Sequence, residues 1–243
     1  MHFERLPEVP SGVGFANASE PVGKSPLLFL LLSVALMAGM VYFIGNRPLT
    51  VLNVTATIAV FTTFVPIALA LIFTFLEGGT SGLSSLLARL LPSASIGPRW
   101  YAVSILLMPL LQLCAYVVAV PLGATYNQYT PLSTLLLVIP LLVFAAAEEV
   151  GWTGYATGPL QRRYGALGAA LVIGAGGILI HLIPYAAAGH SLSWIVGQSL
   201  LIIEARIIAV WMFNNTGRSI LPAALMHATY NLAYIMYPYN GSH

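Results

Sequence analysis

The sequence predicts an all-α fold: a polytopic transmembrane helical bundle of about seven spans, with a possible interfacial helix. Three observations lead there. The 243-residue chain is 58% hydrophobic and only 7% charged, whereas about a quarter of a soluble domain's residues are charged. Its mean hydropathy is +0.88. Apolar stretches of roughly the 20 residues needed to cross a bilayer recur along it, separated by short polar or Pro/Gly-containing breaks.

The elements follow in order. Residues 1–25 are polar and broken by Pro7, Pro10 and Pro21, and read as a cytoplasmic tail without the apolar core of a signal peptide. Residues 26–243 form a single transmembrane domain, with a motif core at 132–237. The first span covers Pro26 to Ile44. The second covers Asn53 to Leu76, with a kink expected at Pro66. Between Glu77 and Arg99 hydrophobicity lapses. There Leu83, Leu86, Leu87, Leu90 and Leu91 recur at helical spacing around Arg89, the pattern of a short helix lying in the interface. The third span runs from Trp100 to Leu122, and Gly123 to Pro131 is an uncharged loop. The fourth begins at Leu132 and is expected to stop at Gly158 and Pro159, a helix-ending pair. The fifth, sixth and seventh cover Ala166 to Ala188, Leu192 to Phe213 and Ile220 to Tyr237.

Seven spans put Arg5, Lys24, Arg89, Arg99, Arg162, Arg163 and Arg218 on one side and Arg47 on the other. The positive-inside rule makes the first side cytoplasmic, with the N-terminus there. In this setting the net charge of +2 is a topology signal and does not point to nucleic acid as a partner. The sole cysteine, Cys114, lies within an apolar run, so neither an intrachain disulfide nor a cysteine-based metal site can form.

Polar groups inside the spans are few. Glu148 and Glu149 end the apolar part of the fourth span, in AAAEEVGWTGY. His181 lies in the fifth, and His227 and Asn231 lie four residues apart on one face of the seventh. Ionisable groups at membrane depth cost about 2.5–3.5 kcal/mol on insertion scales and normally face a protein interior or a water-filled cavity. Counting 1.5 Å per residue from the cytoplasmic ends puts Glu148 at roughly 15 Å, His181 at roughly 22 Å, and His227 and Asn231 at roughly 11 and 17 Å, overlapping levels. A carboxylate and an imidazole can deprotonate a water, while a second imidazole and a carboxamide can stabilise an oxyanion. That is the chemistry of peptide hydrolysis. The same Glu, His and His could instead hold a zinc ion with an open fourth position. A non-proteolytic alternative also follows: an immunity scaffold, or a proton-coupled carrier with these groups as a relay. Considered singly, the glutamates could be a hydrogen-bonded neutral pair, His181 a packed interior histidine, and His227 with Asn231 an interhelical hydrogen-bonding pair. Trp152, Tyr155 and Tyr230 read as packing residues.

EEVGWTGY, a histidine on the next span, and HATYN preceded by WMFNNTGRSILPAALM resemble the CPBP family of intramembrane proteases, related to the type II CAAX prenyl proteases and also called the Abi family. The resemblance implies that Glu148 and His181 activate the hydrolytic water and that His227 and Asn231 form the oxyanion hole. It implies no cofactor, with zinc held by Glu148, His181 and His227 as the alternative. The substrate would be a membrane-associated protein or peptide, and the setting a bacterial or archaeal cell membrane. The family commonly has EExxxR, with arginine where this chain has Thr153. It also often has an aromatic where Gly177 stands, and an arginine where Asn215 stands. Glu149 therefore lacks its usual cation, and a buried carboxylate without one is untenable. Arg206 is the only arginine inside a span. It is expected to supply that charge from the sixth helix, with Thr153 as a secondary hydrogen-bond donor.

Overall fold

The computed structural model describes residues 23–44, 48–51, 54–123 and 131–236. Most of the expected 1–25 tail, Arg47, the loop after Gly123 and the last residues lie outside them. Helix α1 is Pro26–Ile44, α2 Phe64–Ala88, α3 Pro98–Ala119, α4 Pro131–Glu149, α5 Gly158–Ala187, α6 Leu192–Asn215 and α7 Leu221–Met236. A π-helical stretch, Val150–Thr157, joins α4 to α5 without a break. Five stretches are long and apolar enough to cross a membrane: Pro26–Phe43, Val60–Ala88, Pro98–Leu122, Leu136–Ala187 and Leu192–Asn215. The fourth of these, 52 residues long, would extend about 78 Å as one straight helix, over twice the roughly 30 Å apolar thickness of a bilayer. It must turn, and it does so at Gly165, whose φ of 73° suits glycine. Divided there, it supplies two of the expected spans; α7, 16 residues long, is shorter than the five.

Four expectations are corrected. Gly158 and Pro159 do not end the fourth helix, because proline is tolerated in a helix's first turn, where its missing N–H is not needed. The chain stays helical to the break at Gly165. The second span does not start at Asn53: an antiparallel hairpin of β1 (Pro48–Val51) and β2 (Val54–Thr57), in register Pro48 to Thr57, precedes a 3₁₀ segment, Ile58–Thr63, and α2 begins at Phe64. Pro66 therefore sits in the first turn of α2 and makes no kink. The kink in α2 is at Gly79, with φ 59° and ψ −153°. The short helix expected around Arg89 is the part of α2 beyond that kink. Its Leu86 is fully buried.

The π-helical stretch is the axis of the bundle. All eight of its residues are buried. Phe29 of α1 packs on Trp152 and Tyr155 at ring distances of 5.6 and 5.0 Å, and Phe73 of α2 lies 5.8 Å from Tyr155. A π turn bonds i to i+5 and leaves some carbonyls needing other donors. Thr157 Oγ1 donates to the Trp152 carbonyl at 2.9 Å, and Arg89 Nη2 donates to the Gly154 carbonyl at 2.6 Å. Burial pushes Arg89 down to about 10, which leaves it charged at neutral pH. Its own carbonyl accepts from Ile220 N at 2.8 Å and Ser219 Oγ at 3.0 Å, tying α2 to the start of α7.

The segments expected on one side of the membrane meet at one end of the bundle. Lys24 N donates to Glu77 Oε1 at 3.1 Å, Tyr155 Oη donates to the same oxygen at 2.7 Å, and Gln161 Nε2 donates to Asn214 Oδ1 at 2.9 Å.

Close approach to the π-helical stretch depends on its glycines. A Cβ at Gly151 would lie 2.6 Å from Pro66 Cβ and 2.9 Å from the Pro66 carbonyl carbon and oxygen, backbone atoms that cannot swing aside. Gly151→Ala is therefore expected to lose about 1–3 kcal/mol of stability, seen as a lower unfolding midpoint in detergent. Gly39→Ala, in open space on α1, is expected to leave the midpoint unchanged or raise it.

Candidate active site

Glu148 and Glu149 are the last two residues of α4, so their side chains leave the helix about 100° apart. Each is held by the residue four positions on, in the π-helical stretch. Trp152 Nε1 donates to Glu148 Oε2 at 3.2 Å, and Thr153 Oγ1 donates to Glu149 Oε2. Their surroundings differ. Glu148 is partly exposed to a cavity, while Glu149 is completely buried.

Glu149 gathers charge from two other helices. Arg206 of α6, itself buried, binds both of its carboxylate oxygens: Nη1 donates to Oε2 at 3.0 Å and Nη2 donates to Oε1. This two-pronged geometry is the strongest arginine–carboxylate arrangement. Gly174 of α5 makes room for it, since a Cβ there would stand 2.6 Å from Ile203 Cδ1 and 3.6 Å from Arg206 Cγ. Glu204, two residues away, is exposed and turned elsewhere. The third partner is His227 of α7, whose Nδ1 lies 2.9 Å from Glu149 Oε1. With a carboxylate as acceptor, Nδ1 carries the proton and Nε2 is left for the cavity.

The cavity, about 290 Å³, lies among α4, α5, α6 and α7 and is lined by Glu148, His181, His227 and Asn231. These four anticipated residues thus share one chamber. His181 Nδ1 lies 2.8 Å from the Gly177 carbonyl, one turn back on α5. Nδ1 must therefore be the donor, and the Nε2 lone pair is free to accept a proton. Helices α5 and α6 run antiparallel and in close register. A Cβ on Gly177 would meet Ile202 Cγ2 at 3.1 Å, and farther along Tyr185 and Trp194 pack edge to face at 4.9 Å.

The sequence reading passed over part of the lining. Trp152 reads as packing in the sequence, yet it faces the cavity and donates to Glu148; its indole N–H at i+4 from a glutamate is the available signal. Tyr155 does pack, away from the cavity against Glu77. Gln198 and Tyr185 also line the cavity and were not singled out. Among the described residues, no group of three or more His, Cys, Asp or Glu is arranged to hold a metal ion.

Residues 130–233 match the family model described as type II CAAX prenyl endopeptidase Rce1-like. The chain is 31% identical over 160 residues to CAAX prenyl protease 2 of Methanococcus maripaludis, an alignment covering 59% of this chain and 59% of that protein. It thus spans less than two thirds of the length of that curated relative.

The Glu149 cluster yields a stability test. Arg206→Met strands a fully buried carboxylate, and is expected to cost about 3–5 kcal/mol in unfolding measurements in detergent. The double variant Glu149→Gln with Arg206→Met removes both charges and is expected to lose less than the sum of the single changes. Additive losses would mean the two side chains are not coupled.

Proposed function

We propose that the chain is a member of the CPBP family of intramembrane proteases, as its matches to a type II CAAX prenyl endopeptidase family model and to CAAX prenyl protease 2 support, and that it hydrolyses a peptide bond of a membrane-associated protein through a water activated by Glu148 and His181. The observation that carries this reading is the convergence of Glu148 from α4, His181 from α5, and His227 and Asn231 from α7 on one cavity. Glu148 is held by Trp152 but still faces the chamber, so it can take a proton from a water bound there. His181 offers Nε2 to the same water. The water oxygen attacks the carbonyl carbon of the substrate, and the carbonyl becomes an oxyanion. Asn231 can donate to that oxyanion from its carboxamide. His227, fixed by Glu149 through Nδ1, can donate from Nε2 when the ring is protonated. As the C–N bond breaks, the proton taken from water passes to the departing amine, leaving a carboxylate and an amine as products.

The walls between these groups include Ile173, Ile202 and Met226, apolar surface that suits a chain segment delivered from the bilayer. The curated relative is named as a prenyl protease, and a C-terminally prenylated protein is the substrate class we assign by that likeness. The cations at the end of the bundle that holds Lys24, Arg89 and Arg162 support a cytoplasmic N-terminus.

The assignment is tested with the purified chain in lipid nanodiscs and an internally quenched prenylated peptide ending in a CAAX tetrapeptide. Glu148→Gln and His181→Ala are each expected to lower turnover by about 10²–10⁴-fold. Asn231→Ala is expected to lower it by about 10²–10³-fold, with all three proteins folded. Retained turnover in Glu148→Gln or His181→Ala would overturn the assignment of the water-activating pair.

A further inference from the structure

We propose that Gln198 is a substrate-gripping residue, which hydrogen-bonds the main chain of the bound peptide beside the attacked bond. This rests on the peptidase reading above and extends it to a residue outside the motifs. Gln198 lies on α6 and is only 7% exposed, yet it lines the cavity. It makes no hydrogen bond among the described residues, and neither of its amide atoms is among the side-chain atoms sealed away without a partner. Its carboxamide is therefore open to the chamber and has no partner among the described residues. In an apolar, membrane-embedded wall such a group is costly to keep unless something that enters the cavity completes its bonds.

Its position says what that would be. Gly177 of α5 touches Ile202 of α6. One turn farther along each of these antiparallel helices come His181 and Gln198, so the amide stands level with His181 across the helix pair. A peptide drawn from lipid into this cavity brings bare N–H and C=O groups that the bilayer cannot satisfy. A glutamine offers both a donor and an acceptor from one side chain, matching an extended main chain without regard to its side chains. A charged residue would satisfy only one of the two.

The test uses the full chain in nanodiscs with the same quenched prenylated CAAX peptide. Gln198→Met keeps the length of the side chain and removes the amide. It is expected to raise KM about tenfold, the value of one or two lost hydrogen bonds, with kcat within about twofold. In a Glu148→Gln background, where the peptide is bound without being cut, Kd measured by tryptophan fluorescence is expected to rise by the same factor. Gln198→Asn, which keeps the amide, is expected to fall between wild type and Gln198→Met. N-methylation of the peptide beside the attacked bond is expected to weaken the wild type and leave Gln198→Met nearly indifferent. Unchanged KM and Kd in Gln198→Met, with an active wild type, overturn the Gln198 assignment alone. A fall in kcat at constant KM also overturns it, by placing the amide on the reacting water. A wild type that neither cuts nor binds the peptide overturns the peptidase reading, and this one with it.

Discussion

A fully buried carboxylate, Glu149, is the constraint on which the site depends. An ionised carboxylate in a dry interior is sustained only by opposite charge and complete hydrogen bonding. Glu149 obtains these from Arg206 on α6, Thr153 in the π-helical stretch and His227 on α7. Each partner must arrive at one point, so the carboxylate fixes the relative placement of α4, α6 and α7. Gly174 lets the arginine stem pass α5, and Gly151 and Gly154 let α2 and Ile220 close over the π-helical stretch whose Trp152 and Thr153 hold the two glutamates. The ring of His227 is oriented by the same oxygen that receives Arg206, so packing and chemistry share one polar centre.

The two adjacent glutamates thus have separate duties set by their surroundings. Glu149 is enclosed and saturated with donors. Glu148 has a single indole donor and a face toward the cavity. One therefore stands at the cavity wall and the other behind it. Their 100° separation on the helix puts one on each side of that boundary. Where Thr153 stands in place of a motif arginine, the cation comes from another helix, and threonine keeps only the short hydrogen-bonding part of the role.

Much of this was legible in the sequence. Hydropathy gave the bundle, and helical spacing gave the shared face of His227 and Asn231. The scarcity of arginine within spans, together with the need to neutralise Glu149, pointed to Arg206. What was not legible depended on backbone geometry without a compositional signature. Pro159 reads as a helix stop but sits where its missing N–H does no harm, so the turn falls at Gly165 instead. Pro66 reads as a kink but occupies a first turn, and Gly79 bends α2 in its place. The contact of His227 with Glu149 could not be foreseen either, because it depends on which of two neighbouring carboxylates α7 faces. Gln198 was hidden for a different reason: one amide in a long apolar helix carries no signal until the cavity beside it is seen.

Glu149 holds His227 through Nδ1. Long-range proton–nitrogen correlation spectra of the histidine-labelled chain in detergent test it most directly, with His227 assigned by comparison with a His227→Gln sample. Nδ1 of His227 is expected to carry a proton in every charge state of the ring that is populated. A neutral His227 with its only proton on Nε2 would contradict it, since such a ring cannot donate to Glu149.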